Sequence, residues 1–314
     1  MLRLLFQRLL VSLLLIFLIS LFVFGATELL PGDVAEVILG QSATPEAVAN
    51  LRHALDLDRP AIMRYAEWML GLVQGDPGVS LVNQRPIAEL VGARFANTLM
   101  LAGITVAISV PPALLIGICA AIWRNSVFDR IASIGAVAVM SVPEFLVATL
   151  AVVVFAVNLG WVPAMAYATE ITSLGQLVGS FALPILTLGL VVASQMIRLS
   201  RAAVLTALQE PYVEMARLKG ASHRRVIWHH VMPNVVGALV NAAVLSTSFL
   251  VSGVLVTEVI FSYPGVAKLM VDAVATRDMP LIQTCAMIFA ASYLALATLA
   301  DIVAIIFNPR LKFQ

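Results

Sequence analysis

Apolar residues fall along this chain in long unbroken runs rather than in the narrow stripes of a water-soluble core. The runs at 9–29, 96–122, 131–157, 181–208, 235–260 and 282–307 are each long enough, at about 1.5 Å of helical rise per residue, to cross a hydrocarbon layer about 30 Å thick. The pattern predicts an all-α membrane protein with six transmembrane helices. The first run exceeds the apolar core of a cleaved signal peptide and has no small-x-small cleavage site behind it, so 1–29 reads as a short N-terminal tail and a retained first span. Between the first two runs the pattern turns globular. Pro, Gly, Asp and several Arg over 30–95 predict a small external insertion, too short to be an enzyme domain by itself. Inside it, Val48, Leu51 and Leu55 behind a Thr44 cap predict a helix over 45–55, and a second is expected over 62–73. The region 96–308 is then a five-helix core, and 309–314 a cytoplasmic tail. Pro111 and Pro112 should kink or locally unwind the second span.

One polar, basic island interrupts the core at 210–234. Pro211 suits the first turn of a helix, Gly220 suits the left-handed position just past the end of one, and Ser222 suits the cap of a second. The island therefore predicts a short helical hairpin, with Tyr212, Met215 and Ala216 on its less polar side and Arg217 and Lys219 near the end of its first arm. A helix-turn-helix for DNA would share this grammar. Here both arms run into membrane-length apolar segments, which sets that reading aside. On the residues alone, a basic loop that only fixes topology and an element that docks on another protein both stand.

Composition agrees with the pattern. Hydrophobic residues make up 61% of the chain and charged residues 12%, against roughly 25% charged in an average soluble domain. A net charge of +1 gives no bulk attraction to nucleic acid. Cys119 and Cys285 lie far apart in apolar runs and read as small core residues. No Gly-x4-Gly-Lys-Ser/Thr loop is present to cradle ATP, nor a His-Glu-x-x-His or Gly-x-Ser-x-Gly motif. His229 and His230 are adjacent and point to different faces of a helix, so with His223 they suit a headgroup or subunit contact better than a metal.

The spacing Glu214-x-Ala216-x3-Gly220, followed by Met232-Pro233, resembles the loop of ATP-binding-cassette importer permeases whose pattern is Glu-Ala-Ala, three residues, Gly, nine residues, Ile-x-Leu-Pro. Glu214, Ala216, Gly220 and Pro233 match; Met215, His230 and Met232 depart from it. The set 30–33 (Leu-Pro-Gly-Asp), 57–60 (Leu-Asp-x-Pro), 75–80 (Gly-Asp-x-Gly-x-Ser), Thr98-Leu99 and 261–283 is similar to the dipeptide, oligopeptide and nickel branch of that family. In the loop at 261–283, Tyr263-Pro264-Gly265 reads as a tight turn and Arg277-Asp278 as a weak local ion pair.

The resemblance implies a type I importer permease working beside a second related permease subunit, two ATPase subunits and an external solute-binding protein, in the lipid bilayer of a bacterial inner membrane. The 210–234 loop is then the coupling element, with Ala216 the small residue at closest approach to the ATPase groove. ATP and Mg belong to the ATPase subunits; this chain binds no cofactor and is not itself an enzyme. Dipeptides, oligopeptides, glutathione, opines, sugars and nickel chelates all remain open as solutes. A self-sufficient secondary transporter is the alternative, and it should show inverted repeats with paired broken helices, which the sequence lacks.

Short cytoplasmic loops collect Lys and Arg. Placing both termini inside puts Arg3, Arg8, Arg124, Arg130, Arg198, Arg201, Arg217, Lys219, Arg224, Arg225, Arg310 and Lys312 at or near the cytoplasm. Three carboxylates lie at membrane depth. Glu258 and Asp301 are expected in structural pairs near helix ends. Glu144, beside Pro143 and midway along 131–157, is the candidate for a residue lining the translocation path.

Overall fold

The computed structural model describes residues 2–29, 32–166 and 174–307. Pro31 of the first external turn, Glu170 of the connector after the third span, and the tail at 309–314 with Arg310 and Lys312 lie outside them. Regular structure among the described residues is helical, apart from a single antiparallel bridge between Val79 and Pro86.

A first span, α1 (Leu2–Glu28), leads into three short helices, α2 (Val34–Leu39), α3 (Pro45–Ala54) and α4 (Ala61–Gln74). The caps explain where they start. Asp33 Oδ1 accepts from the Ala35 N–H at 2.8 Å, and Thr44 Oγ1 from the Ala47 N–H at 3.2 Å. Glycine ends α4, with Gly75 at φ +81°. Helix α4 lies against the C-terminal end of α1 through the Phe24, Tyr65 and Trp68 rings, a Ser20–Tyr65 hydroxyl bond of 2.9 Å and an Arg64–Glu28 ion pair of 2.7 Å. The insertion is thereby bolted to the first span.

The second span, α5 (Ile87–Ile122), begins earlier than the expected boundary at 95/96. At 36 residues it is about 54 Å long, so its first turns stand outside the hydrocarbon. Of the kink or local unwinding expected at Pro111 and Pro112, the unwinding does not occur: α5 is continuous through both. Packing accounts for this. Helix α5 runs along α8 (Leu174–Leu208) in the most extensive helix pairing of the chain, and Ser109 closes onto Gly189 while Gly117 lies beneath Ser200. Side chains at Gly117 or Gly189 would overlap those serine hydroxyls, the close approach of backbones by which membrane helices associate.

The span expected over 131–157, with a bend at Pro143, is broken there into two helices, α6 (Val127–Ser141) and α7 (Glu144–Ala151), the latter continuing in wide π-type turns over Val152–Asn158. They meet at 97° across Val142 and Pro143. Among the described residues five continuous helices are long and apolar enough to cross a membrane, and there are six crossings if this bent pair is one span.

After α8 come the hairpin helices α9 (Pro211–Leu218) and α10 (His223–Arg225), then α11 (Met232–Ser248) and α12 (Leu250–Ile260). A further helix the sequence reading did not anticipate, α13 (Val266–Thr276), lies in the loop before the last span, α14 (Met279–Phe307). Helix α14 carries α1 on a ladder of polar rungs: Arg8–Asp301 at 2.7 Å, Ser12–Thr298 at 2.9 Å and Gln283–Thr27 at 2.7 Å. Arg277 and Asp278 do not pair with one another. Arg277 takes a left-handed backbone, φ +59°, that lays its side chain over Gly32, whereas buried Asp278 accepts from the Ser80 hydroxyl and the Leu81 N–H. That carboxylate fastens the Gly-Asp-x-Gly-x-Ser turn to the start of α14.

Candidate functional site

Pro211 stands in the first turn of α9, where its missing N–H costs nothing. The helix stops in a Schellman arrangement: the Gly220 N–H donates to Arg217 O at 2.9 Å and the Ala221 N–H to Ala216 O at 3.1 Å. Gly220 sits at φ +79° with open space around it, so the demand for glycine here is conformational rather than steric. Val213 and Ala216 are buried with Ile118, Val204, Val226 and Val235, on the face that α9 turns to its own bundle. Ala216, expected at the closest approach to a partner, lies on this inward face. Its small size serves this chain's own packing. The outward strip is Tyr212, Met215 and Leu218, flanked by Glu214, Arg217 and Lys219, with Leu218 75% exposed.

Past the turn, the chain is helical from His223 to Ser248 without interruption. The second arm of the hairpin and the fifth span are therefore one rod, not a short helix followed by a span beginning at 235. Ser222 occupies the cap position, but its side chain makes no capping bond. Arg224 and Arg225 stand exposed in the first turn, at the positive end of the helix dipole, where cations disfavour the helix; their placement suits an external acidic partner better than the helix itself. The residues Val226–Val231 take wide π-type turns, a local excess of one residue that leaves Pro233 at the start of α11. There the Asn234 side-chain amide donates to His230 O at 2.7 Å. The Tyr212 phenol is held above its ordinary pKa by burial and then by the charge of Glu210, and it hydrogen-bonds with the Asn234 side chain, which ties α9 to the rod. Among the described residues no group of three or more His, Cys, Asp or Glu is placed to hold a metal ion.

The carboxylates divide sharply. Glu258 is fully buried and accepts from Thr98 Oγ1 at 2.6 Å and from the Ala267 and Lys268 N–H groups at 2.7 and 3.3 Å, so it caps the N-terminus of α13. Gly265 has no side chain because one would overlap that carboxylate. Asp301 pairs with Arg8. Both are structural pairs, as expected. A fourth, Asp129, was missed in the sequence: it is nearly buried and takes a bidentate bond from Arg201 Nε and Nη2 at 2.6 and 2.9 Å, with the Asn125 N–H at 2.9 Å and the Ser133 hydroxyl at 3.2 Å. Arg201, counted above only as a topology-setting cation, locks α6 to α8. Its only sequence signal was an acidic residue three past Ser126, the N-cap of α6. Glu144 is different. It opens α7 at the bend, against Gly253 of α12 and Leu188 of α8, and its Oε1 is buried with no hydrogen-bond partner.

The sequence of this chain matches known proteins over nearly its full length. Residues 113–313 match the family described as "Binding-protein-dependent transport system inner membrane component", and residues 1–103 match the N-terminal region of the same kind of membrane component. The glutathione transport system permease protein GsiC of Escherichia coli strain K12 is 34% identical over 299 residues, covering 95% of each chain. Its counterpart in Salmonella typhi is 34% identical over 296 residues, 94% of each. The chain therefore belongs to the family of inner-membrane permease components of binding-protein-dependent, ATP-binding-cassette import systems.

Proposed function

We propose that this permease passes peptides or closely related small solutes, glutathione among them, and that the 210–234 hairpin is where ATP is coupled to their movement. In this reading the chain pairs with a second related permease, two ATPase subunits hydrolyse ATP on the cytoplasmic side, and an external binding protein delivers solute to the face formed by α2–α4 and α13. Both termini lie in the cytoplasm. ATP binding draws the hairpins together and opens the path outward; hydrolysis returns it inward. The relatives' names supply the solute class, and membership of a binding-protein-dependent family disfavours the self-sufficient secondary transporter.

The observation that carries the coupling role is the outward strip of α9. Tyr212, Met215 and Leu218 present apolar area to water at the end of a rigid, glycine-stopped helix whose other face is sealed into the bundle. Arg217, Lys219, Arg224 and Arg225 are exposed in the same hairpin. Apolar anchors ringed by charge are the anatomy of a protein contact rather than of a solvated loop. Leu218→Arg is expected to leave the protein folded in the membrane, to lose the ATPase subunits on purification and to abolish solute-stimulated ATP hydrolysis. Retained ATPase subunits with normal stimulation would refute the coupling role.

A further inference from the structure

The bend between α6 and α7 places irregular backbone within an otherwise apolar crossing. Ser141, Val142 and Pro143 are exposed on this chain. Leu146 and Val147 N–H both take Pro143 O, at 3.0 and 3.2 Å, so the Glu144 and Phe145 N–H groups that open α7 meet no carbonyl among the described residues. Backbone of this kind is not tolerated against lipid tails; it belongs against protein or beside water.

Glu144 adds a charge-bearing group at the same point. Glu258, Asp301 and Asp129 each have a donor, whereas Glu144 Oε1 is shielded by the chain's own atoms and has none among the described residues. One buried carboxylate oxygen left without a donor costs about 1–3 kcal/mol unless something else solvates it. Glycine at 253 is what makes room, because any side chain there would overlap Oε1. Glu144 thus sits at the junction of α7, α8 and α12, beside the unpaired N–H groups of the first turn of α7, and its Oε1 takes no hydrogen bond from any of them.

Resting on the importer reading above, we propose that Glu144 is a cation subsite within the translocation path that receives the ammonium group of the passing solute, favouring solutes with a free primary amine over those without one. The complete transporter, reconstituted with its ATPase subunits and binding protein, tests this with S-methylglutathione and its N-acetylated form as probes. Glu144→Gln should cut uptake of the free-amine probe about tenfold, the loss of one charge-assisted contact, while uptake of the acetylated probe and retention of the ATPase subunits stay as in the parent complex. Glu144→Asp should recover most of the amine preference. Glu144→Cys, in a Cys119→Ala and Cys285→Ala background, should react with a water-soluble thiol reagent in at least one nucleotide state. An equal fall for both probes, or loss of assembly in Glu144→Gln, assigns the carboxylate to structure and overturns the proposal. So does a thiol unreactive in every nucleotide state, the result expected if position 144 is sealed in packed protein. If the parent complex imports neither probe, the peptide reading fails separately, and the thiol result alone decides whether position 144 faces water.

Discussion

At the scale of single residues, side chains here are chosen by the backbone and by buried partners more than by what they offer to solvent. Gly220 holds φ +79° with nothing near it, so a residue that tolerates the left-handed region should replace it and a β-branched one should not. Gly220→Asn is expected to keep most solute-stimulated ATP hydrolysis and Gly220→Val to lose it, both measured on the purified complex. Glu258 fills three donors at the start of α13. Its replacement by Ala strands the Thr98 hydroxyl and two N–H groups at a cost of about 1–3 kcal/mol. A lowered melting temperature of the detergent-solubilised protein checks this, and an unchanged one contradicts the capping role. The turn at Gly220 was legible because its chemistry is local: Pro, Gly and Ser fall at fixed offsets along a few residues. Ala216 was legible as a small residue but not as an inward one, since the face it takes depends on α5 and α8, far away in sequence.

Elements show the same division. Every long apolar run became a helix, because a run of that length has no other way to satisfy its backbone in hydrocarbon. What the runs concealed was shape. Two prolines at 111 and 112 leave α5 helical because Ser–Gly contacts press it along α8, while the single Pro143 separates two helices at 97°. Proline count does not decide this; the surrounding packing does. Nor was the lock between α6 and α8 legible, since Asp129 and Arg201 are 72 positions apart and the one local signal, Asp129 three past Ser126, speaks of the start of α6 and not of Arg201. Breaking it should be costly: Asp129→Ala leaves a partly exposed guanidinium without its partner, about 3 kcal/mol at the low end for such pairs. In thermal unfolding, Asp129→Ala and Arg201→Ala should each lower stability, and the double variant should fall by much less than their sum. Additive losses would mean that the two side chains do not act as a pair.

For the whole molecule, the exposed irregular backbone at 141–143 and the outward strip of α9 lie on one chain that cannot cover either. Crosslinking in native membranes should therefore trap a second permease against this one, and a chain found only as a monomer would contradict that assembly. A quieter consequence follows from the helix that is unbroken between His223 and Ser248. Because no flexible joint separates the second arm of the hairpin from the middle of the span, the angular phase of one end sets that of the other. Removing one residue from the wide turns at 226–231 would rotate everything beyond by about 100°, swinging Leu239, Ala242 and Ser246 out of the core. The identities of those six residues are open to change so long as each still suits its face. Their number is not, and an insertion or deletion among them should be far less tolerated than any substitution.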